Sequence, residues 1–200
     1  MIRIGILGDI GSGKSYIAKK FGFPVFNADE EVAKLYKKNK KIFAKLKRSL
    51  PQYIETFPIS KKEISKAILG NKNNLPKIIK IIHSEVRKRM YFFLKKNKEK
   101  KIIILDIPLL LENKINQKKD ILIFVDSKKK DVLKRLKKRK NFNNIILKRF
   151  KKIQLRIDLK KKKSMFIIKN DFKEKTVRKR IKIGRAHVWT PVTDVSRMPS

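Results

Sequence analysis

The chain contains no cysteine in its 200 residues. Disulfides and thiolate metal sites are therefore excluded, and any metal must be held by oxygen ligands, which suits Mg²⁺ with a nucleotide. No apolar run is long enough to span a membrane. The opening Met1-Ile2-Arg3-Ile4-Gly5 does not read as a signal peptide, because a phosphate-type loop follows at once. The expectation is a cytoplasmic protein with no membrane partner. Acids are scarce: 17 Asp and Glu stand against 56 Lys and Arg, a net charge of +39. Such a balance suits non-specific contact with nucleic acid at low salt. The basic residues are spread along the chain, however, and Lys, Ile and Asn are all abundant, as the codons of an AT-rich genome favour. Compositional drift accounts for the charge better than a dedicated RNA or DNA surface does. No internal repeat is apparent, and the length suits one domain with a buried core and inserted lobes.

Glycine is scarce too, yet Gly8, Gly11 and Gly13 fall close together in Gly8-Asp9-Ile10-Gly11-Ser12-Gly13-Lys14-Ser15, directly behind the apolar run Ile2 to Leu7. The stretch fits the pattern G-x-x-x-x-G-K-[ST] between a strand and a helix. Glycines let the backbone curl so that several N–H groups point at one anion, and the following helix N-terminus adds partial positive charge. Lys14 can reach terminal phosphates, and the Ser15 hydroxyl can ligate Mg²⁺. Gly8 to Ser15, with Tyr16 behind them, are therefore the expected nucleotide site.

The rest of the chain reads as alternating strands and helices. Ser15 to Phe21 is the first helix and Pro24-Val25-Phe26 a short second strand. Asp29 follows, with a helix from about Glu30 whose apolar positions (Val32, Tyr36, Phe43, Leu46, Leu50) keep roughly helical spacing. Pro51 and Pro58 bracket a loop. Leu75-Pro76 opens a long helix with the stripe Ile78, Ile82, Val86, Met90 and Leu94, read as core. Lys101 to Asp106, Ile121 to Val125 and Phe166 to Ile168 are further strands. Such apolar strands between helices argue a parallel sheet covered on both faces, with ligands beyond the carboxyl ends of the strands. Gly8, Asp29, Asp106 and Asp126 fall at such ends. Gly184 to Ser200 changes character, with no Lys and no Ile. It reads as translated adapter or vector sequence, or else a flexible tail, and is left out of the fold.

Four features stand in order: the loop Gly8–Ser15, Phe26-Asn27-Ala28-Asp29, Leu105-Asp106-Ile107-Pro108-Leu109-Leu110-Leu111-Glu112-Asn113, and a basic stretch leading past Gln154 to Asn170. Over residues 1–183 this order resembles dephospho-CoA kinases, which phosphorylate the ribose 3′-hydroxyl of dephospho-CoA. The loop is common to many NTPases, whereas D-x-P-L-L-x-E-N behind it is far more specific. The resemblance implies an α/β fold with a five-stranded parallel sheet in the order 2-3-1-4-5. It also implies a helical acceptor lobe near residues 30–98 and a lid near 128–152, a stretch with thirteen Lys and Arg against one acid, Asp131. ATP and Mg²⁺ are implied as donor and metal, dephospho-CoA as acceptor, and a monomer or weak oligomer as the assembly. Lys14 and the loop amides would hold phosphates, Asp29 would accept the proton of the attacking hydroxyl, and Arg139 would be the lid arginine, with Arg135 one turn back. His83 and Asp106 would contact the acceptor, Asp106 with a further option of Mg²⁺ through water. Asn170 and Gln154 would lie near the nucleotide.

Each assignment has a plainer alternative. Asp29 can serve as an N-cap, Asp106 as a turn former, His83 as a structural residue and Glu112 as a brace for a helix start. The chain also departs from the family pattern. Asp9 stands where glycine is usual, Tyr16 where threonine is, Ser84 where proline follows the histidine, and Met165 where an acid precedes the last strand. Two other functions remain open on the sequence: a small P-loop kinase with another acceptor, such as a nucleoside monophosphate, and a basic nucleic-acid-binding protein on a P-loop fold.

Overall fold

A computed structural model describes residues 1–140 and 142–183. The expected tail, Gly184 to Ser200, lies outside the described residues. The described residues divide into two compact units: residues 1–26, 99–140, 142 and 155–183 form the first, and residues 27–98 and 143–154 the second.

The sheet is built from β1 (Ile2–Gly8), β2 (Val25–Asn27), β3 (Ile102–Asp106), β4 (Ile121–Asp126) and β5 (Phe166–Lys169), in the order β2-β3-β1-β4-β5. Ile4 pairs in parallel with Ile104 on one side and with Ile121 on the other, and Val125 pairs with Ile168. This is the expected parallel α/β sheet in the expected order. The central strands are largely apolar, as buried parallel strands are. On one face Ile4, Ile6, Ile104, Ile123 and Ile168 pack with Ile17, Ala18 and Phe21 of α1 (Lys14–Lys20) and with Val177 and Ile181 of a helical stretch at 174–183. At the amino end of β1, Arg3 donates to Asp120 Oδ2 at 3.0 Å and to the Ile115 carbonyl at 3.3 Å. Helices α6 (Lys129–Lys137) and α8 (Ile157–Lys162) complete the unit.

The second unit holds α2 (Ala28–Lys38), α3 (Lys40–Ser49), α4 (Lys61–Gly70), the 23-residue α5 (Asn74–Lys96) and α7 (Asn144–Lys152). Helices α2, α3 and α4 all pack on α5, which buries Ile78, Ile82 and Val86 of the expected stripe and leaves Met90 and Leu94 half-buried. The single helix expected from Glu30 to Leu50 is two. Asn39 ends α2 and its side chain accepts from Ile42 N–H, so one residue closes the first helix and caps the second. The basic stretch 128–152 is likewise two helices, because the Asn143 side chain accepts from the amides of Ile145 and Ile146 and starts α7 afresh. No described helix is long and apolar enough to cross a membrane.

Candidate active site

The loop after β1 curls as its glycines allow. Gly11 and Gly13 have φ +82° and +89°, in the left-handed region where a side chain is strained. Gly13 must also be glycine for space, since a β-carbon there would collide with the Asn170 carboxamide. Lys14 opens α1, and its ammonium donates to the carbonyls of Asp9 at 2.8 Å and Gly8 at 3.3 Å. The charge is thus held over the loop itself. Ser15 follows in the first turn of α1, half-buried, and Tyr16 is exposed beside Lys20. The Asp9 carboxylate turns onto its own loop and accepts from Ile10 N–H at 2.7 Å.

A buried layer braces this loop. Ser12 is 1% exposed, with an Oγ that has no hydrogen-bond partner, while its carbonyl accepts from Ser127 Oγ at 3.0 Å and Asn170 Nδ2 at 2.7 Å. Asn170, also buried, is pinned in turn: its own N–H donates to the Asp126 carbonyl at 2.6 Å, and its Oδ1 accepts from Phe172 N–H at 2.9 Å. Leu136 of α6 lies against Gly11. The ends of β1, β4 and β5 are therefore tied into one polar network beneath the loop. Asp106 is buried at the carboxyl end of β3, on the strand next to β1.

Glu112 is more than a surface acid. Its Oε1 accepts from Leu155 N–H at 2.9 Å and from the ammonium of Lys160, itself 2% exposed, at 2.8 Å. It does brace a helix start, since Leu155 lies just before α8. Arg139 is exposed in the turn behind α6, its N–H bonded to the Leu136 carbonyl.

Two candidates belong to the second unit. Asp29 is exposed in the first turn of α2, two residues past the end of β2. The cap of that helix is Asn27, which accepts from Glu30 N–H at 2.9 Å, so the capping role considered for Asp29 is already filled. His83 lies on α5, partly buried, with an Nε2 that has no hydrogen-bond partner. Burial first, then the charge of Arg87, pulls its pKa below the ordinary 6.5 and favours the neutral ring. Gln154 closes the same unit, its N–H bonded to the Lys151 carbonyl.

A family model described as dephospho-CoA kinase matches residues 2–175. The chain belongs to the dephospho-CoA kinase family. The dephospho-CoA kinase of Wolbachia pipientis wMel is 33% identical over 184 residues, covering 90% of this chain and 94% of that one. The one from Fusobacterium nucleatum is 33% identical over 174 residues, covering 84% and 89%. Among solved structures, a dephospho-CoA kinase from Campylobacter jejuni superposes with a TM-score of 0.57 at 25% identity, covering 93% of this chain and 96% of that chain. TT1252 from Thermus thermophilus superposes with a TM-score of 0.76 at 22% identity, covering 94% and 97%, which speaks for the fold.

For a dephospho-CoA kinase, sequence reasoning missed the residues that hold the loop from below. Ser127 and Leu136 carry no motif. Only the topology, which sets β4 beside β1 and β5 beyond β4, singles them out.

Proposed function

We propose that this chain transfers the γ-phosphoryl group of ATP to the ribose 3′-hydroxyl of dephospho-CoA. The observation that carries the reading is the braced Gly8–Ser15 loop with Lys14 folded over it, in a chain that matches the family from residue 2 to residue 175. Lys14 and the loop amides hold the β- and γ-phosphates, and alignment with charge neutralisation supplies most of the catalysis. Asp29 accepts the proton of the attacking hydroxyl. Asp29 is exposed, and Asn27 rather than Asp29 caps the helix. Arg139 neutralises charge on the moving phosphoryl group, with 128–152 as the lid. His83 contacts the acceptor in the helical lobe 30–98, and its orphaned Nε2 supports that role. Asp106 lies near the transferred group, and Asn170 holds the loop to the nucleotide.

The donor set fits Mg²⁺. No group of three or more His, Cys, Asp or Glu among the described residues could hold a metal by itself, so an ion would take Ser15, nucleotide oxygens and water, with Asp106 acting through water. Bound there, the ion would supply charge neutralisation on the phosphates. The reaction belongs in the cytoplasm, where ATP is made available.

The test is an acceptor panel with the full chain, ATP and Mg²⁺: dephospho-CoA beside AMP, CMP, UMP and shikimate. Turnover of dephospho-CoA alone is expected. Preference for another acceptor would keep the kinase and replace its substrate.

A further inference from the structure

Tyr91 and Phe92 stand near the end of α5, 63% and 65% exposed, the two most open large apolar side chains among the described residues. Buried Ile78, Ile82 and Val86 hold another side of the same helix to the core. The two rings meet edge to face, with centroids 6.0 Å apart and planes at 69°. A lone exposed ring is ordinary surface, whereas two in contact make an apolar patch that asks for a partner. Helical spacing sets cations around them: Lys88 lies one turn before both rings, and Lys95 and Lys96 one turn after. All three lysines are exposed, as is Lys80 further back, and none pairs with an acid among the described residues. Arg89, half-buried on the flank, differs, since Glu31 neutralises it at 2.8 Å. Glu85, the one acid of α5, is half-buried. From Lys80 to Lys96 this face runs about 24 Å, at about 1.5 Å per residue.

We propose that this face of α5 binds single-stranded nucleic acid without regard to sequence, its lysines following the phosphates while Tyr91 and Phe92 stack on bases. The inference goes beyond the kinase reading and does not depend on it. Basic charge is spread over the whole chain, so the lysines alone mark nothing. The rings select the partner. Every base has a π-face, and a basic track with aromatic rings set into it holds an unpaired strand by both its backbone and its bases. A duplex offers the same phosphates but keeps its bases stacked on one another. A membrane surface takes a broad apolar face with cations on the side away from it, whereas here the two rings lie among lysines. A second copy of the chain would bring the same unpaired positive charge into the contact.

The experiment measures binding of the full chain to a fluorescein-labelled, mixed-sequence RNA of about sixteen nucleotides, the upper end of such sites. The RNA is used as a single strand and as a duplex, over a series of salt concentrations, with anisotropy as the readout. The variants are Tyr91→Ser, Phe92→Ser, Phe92→Tyr and the pair Lys88→Gln with Lys95→Gln, each with its melting curve. Tyr91→Ser and Phe92→Ser are each expected to weaken the single strand by about five- to a hundredfold, the range of one lost base stack. The salt slope stays as in the parent, because no phosphate contact is lost, and duplex binding stays within about twofold. Phe92→Tyr keeps a ring and keeps the affinity. The lysine pair weakens single strand and duplex together and lowers the single-strand salt slope by about 1.4, or about 0.7 for each phosphate contact. Ring variants that leave single-strand binding unchanged, or that weaken the duplex equally, would overturn the proposal. Vesicles of phosphatidylcholine with phosphatidylserine supply a further arm. Vesicle binding that depends on the rings, with RNA binding that does not, would make the face a membrane contact and overturn the proposal as well. Should either serine variant fail to fold, the other decides with the lysine pair. Phosphotransfer by the parent chain is assayed separately, and its absence would remove the kinase reading without touching this one.

Discussion

In the first unit, chemistry is packed into the backbone: left-handed glycines, a buried serine and a buried asparagine hold one eight-residue loop from several strands at once. The second unit is assembled differently. Four of its five described helices are started by Asn27, Asn39, Ser60 and Asn143, each through its side chain, and its charged groups lie mainly at the surface. A site that grips phosphate needs fixed amide directions, which only a strained and braced loop supplies. The second unit rests on packed helices, which caps and apolar stripes supply. The first kind of region leaves a motif in the sequence, and the second leaves only a rhythm.

The largest effect that sharpens this contrast is on turnover. Lys14→Ala is expected to lower kcat for phosphotransfer by about a thousandfold, as loss of a group that stabilises transition-state charge does. Asp29→Ala is expected to lower it by about a hundredfold, the low end for a positioned base. Circular dichroism should show both variants folded. Turnover unchanged in both would break the kinase assignment.

Ion pairs separate the units next. Lys160→Met leaves the Glu112 carboxylate buried without its cation and is expected to cost about 3–5 kcal/mol by denaturant titration. Arg89→Ala in the second unit removes a 2.8 Å pair with Glu31, which is also served by Lys34. That change is expected to cost less than about 1 kcal/mol, as pairs near water do. Equal losses would erase the distinction.

Acid should act on the second unit through Glu63. Burial alone would raise its pKa, but the amides of Thr56, Glu55 and Ser60, with the Ser60 hydroxyl, bring it from the ordinary 4.5 to about 2. A carboxyl with a lowered folded-state pKa stabilises fully above its unfolded value and loses that contribution as pH falls from about 4.5 towards 2. Stability curves for the parent and Glu63→Gln are expected to converge over that range and to stay apart above it.

The smallest effect is at Asp9. Its carboxylate occupies the Ile10 amide and brings negative charge to the loop. Asp9→Gly is expected to tighten ATP binding by about two- to tenfold, one lost repulsion near water. An unchanged Kd would mean that the side chain turns away without cost.

Most of the sheet was legible because a buried parallel strand is a continuous apolar run, and the loop because its glycines are fixed by φ and space. What stayed hidden was set by side chains acting on distant backbone. Asn39 looks like one more polar residue in a lysine-rich helix until it is seen closing one helix and opening the next. The Ser60-Glu63 capping box was in the sequence and could have marked α4. Ser127, Lys160 and Phe172 belong to no pattern, since their partners lie 115, 48 and 37 positions away, at Ser12, Glu112 and Arg135.

The most direct measurement is phosphorus NMR of the full chain with ATP, Mg²⁺ and dephospho-CoA. The account predicts ADP together with a new phosphomonoester on the ribose 3′-oxygen. ADP and free phosphate alone, or a monoester at another position, would contradict it.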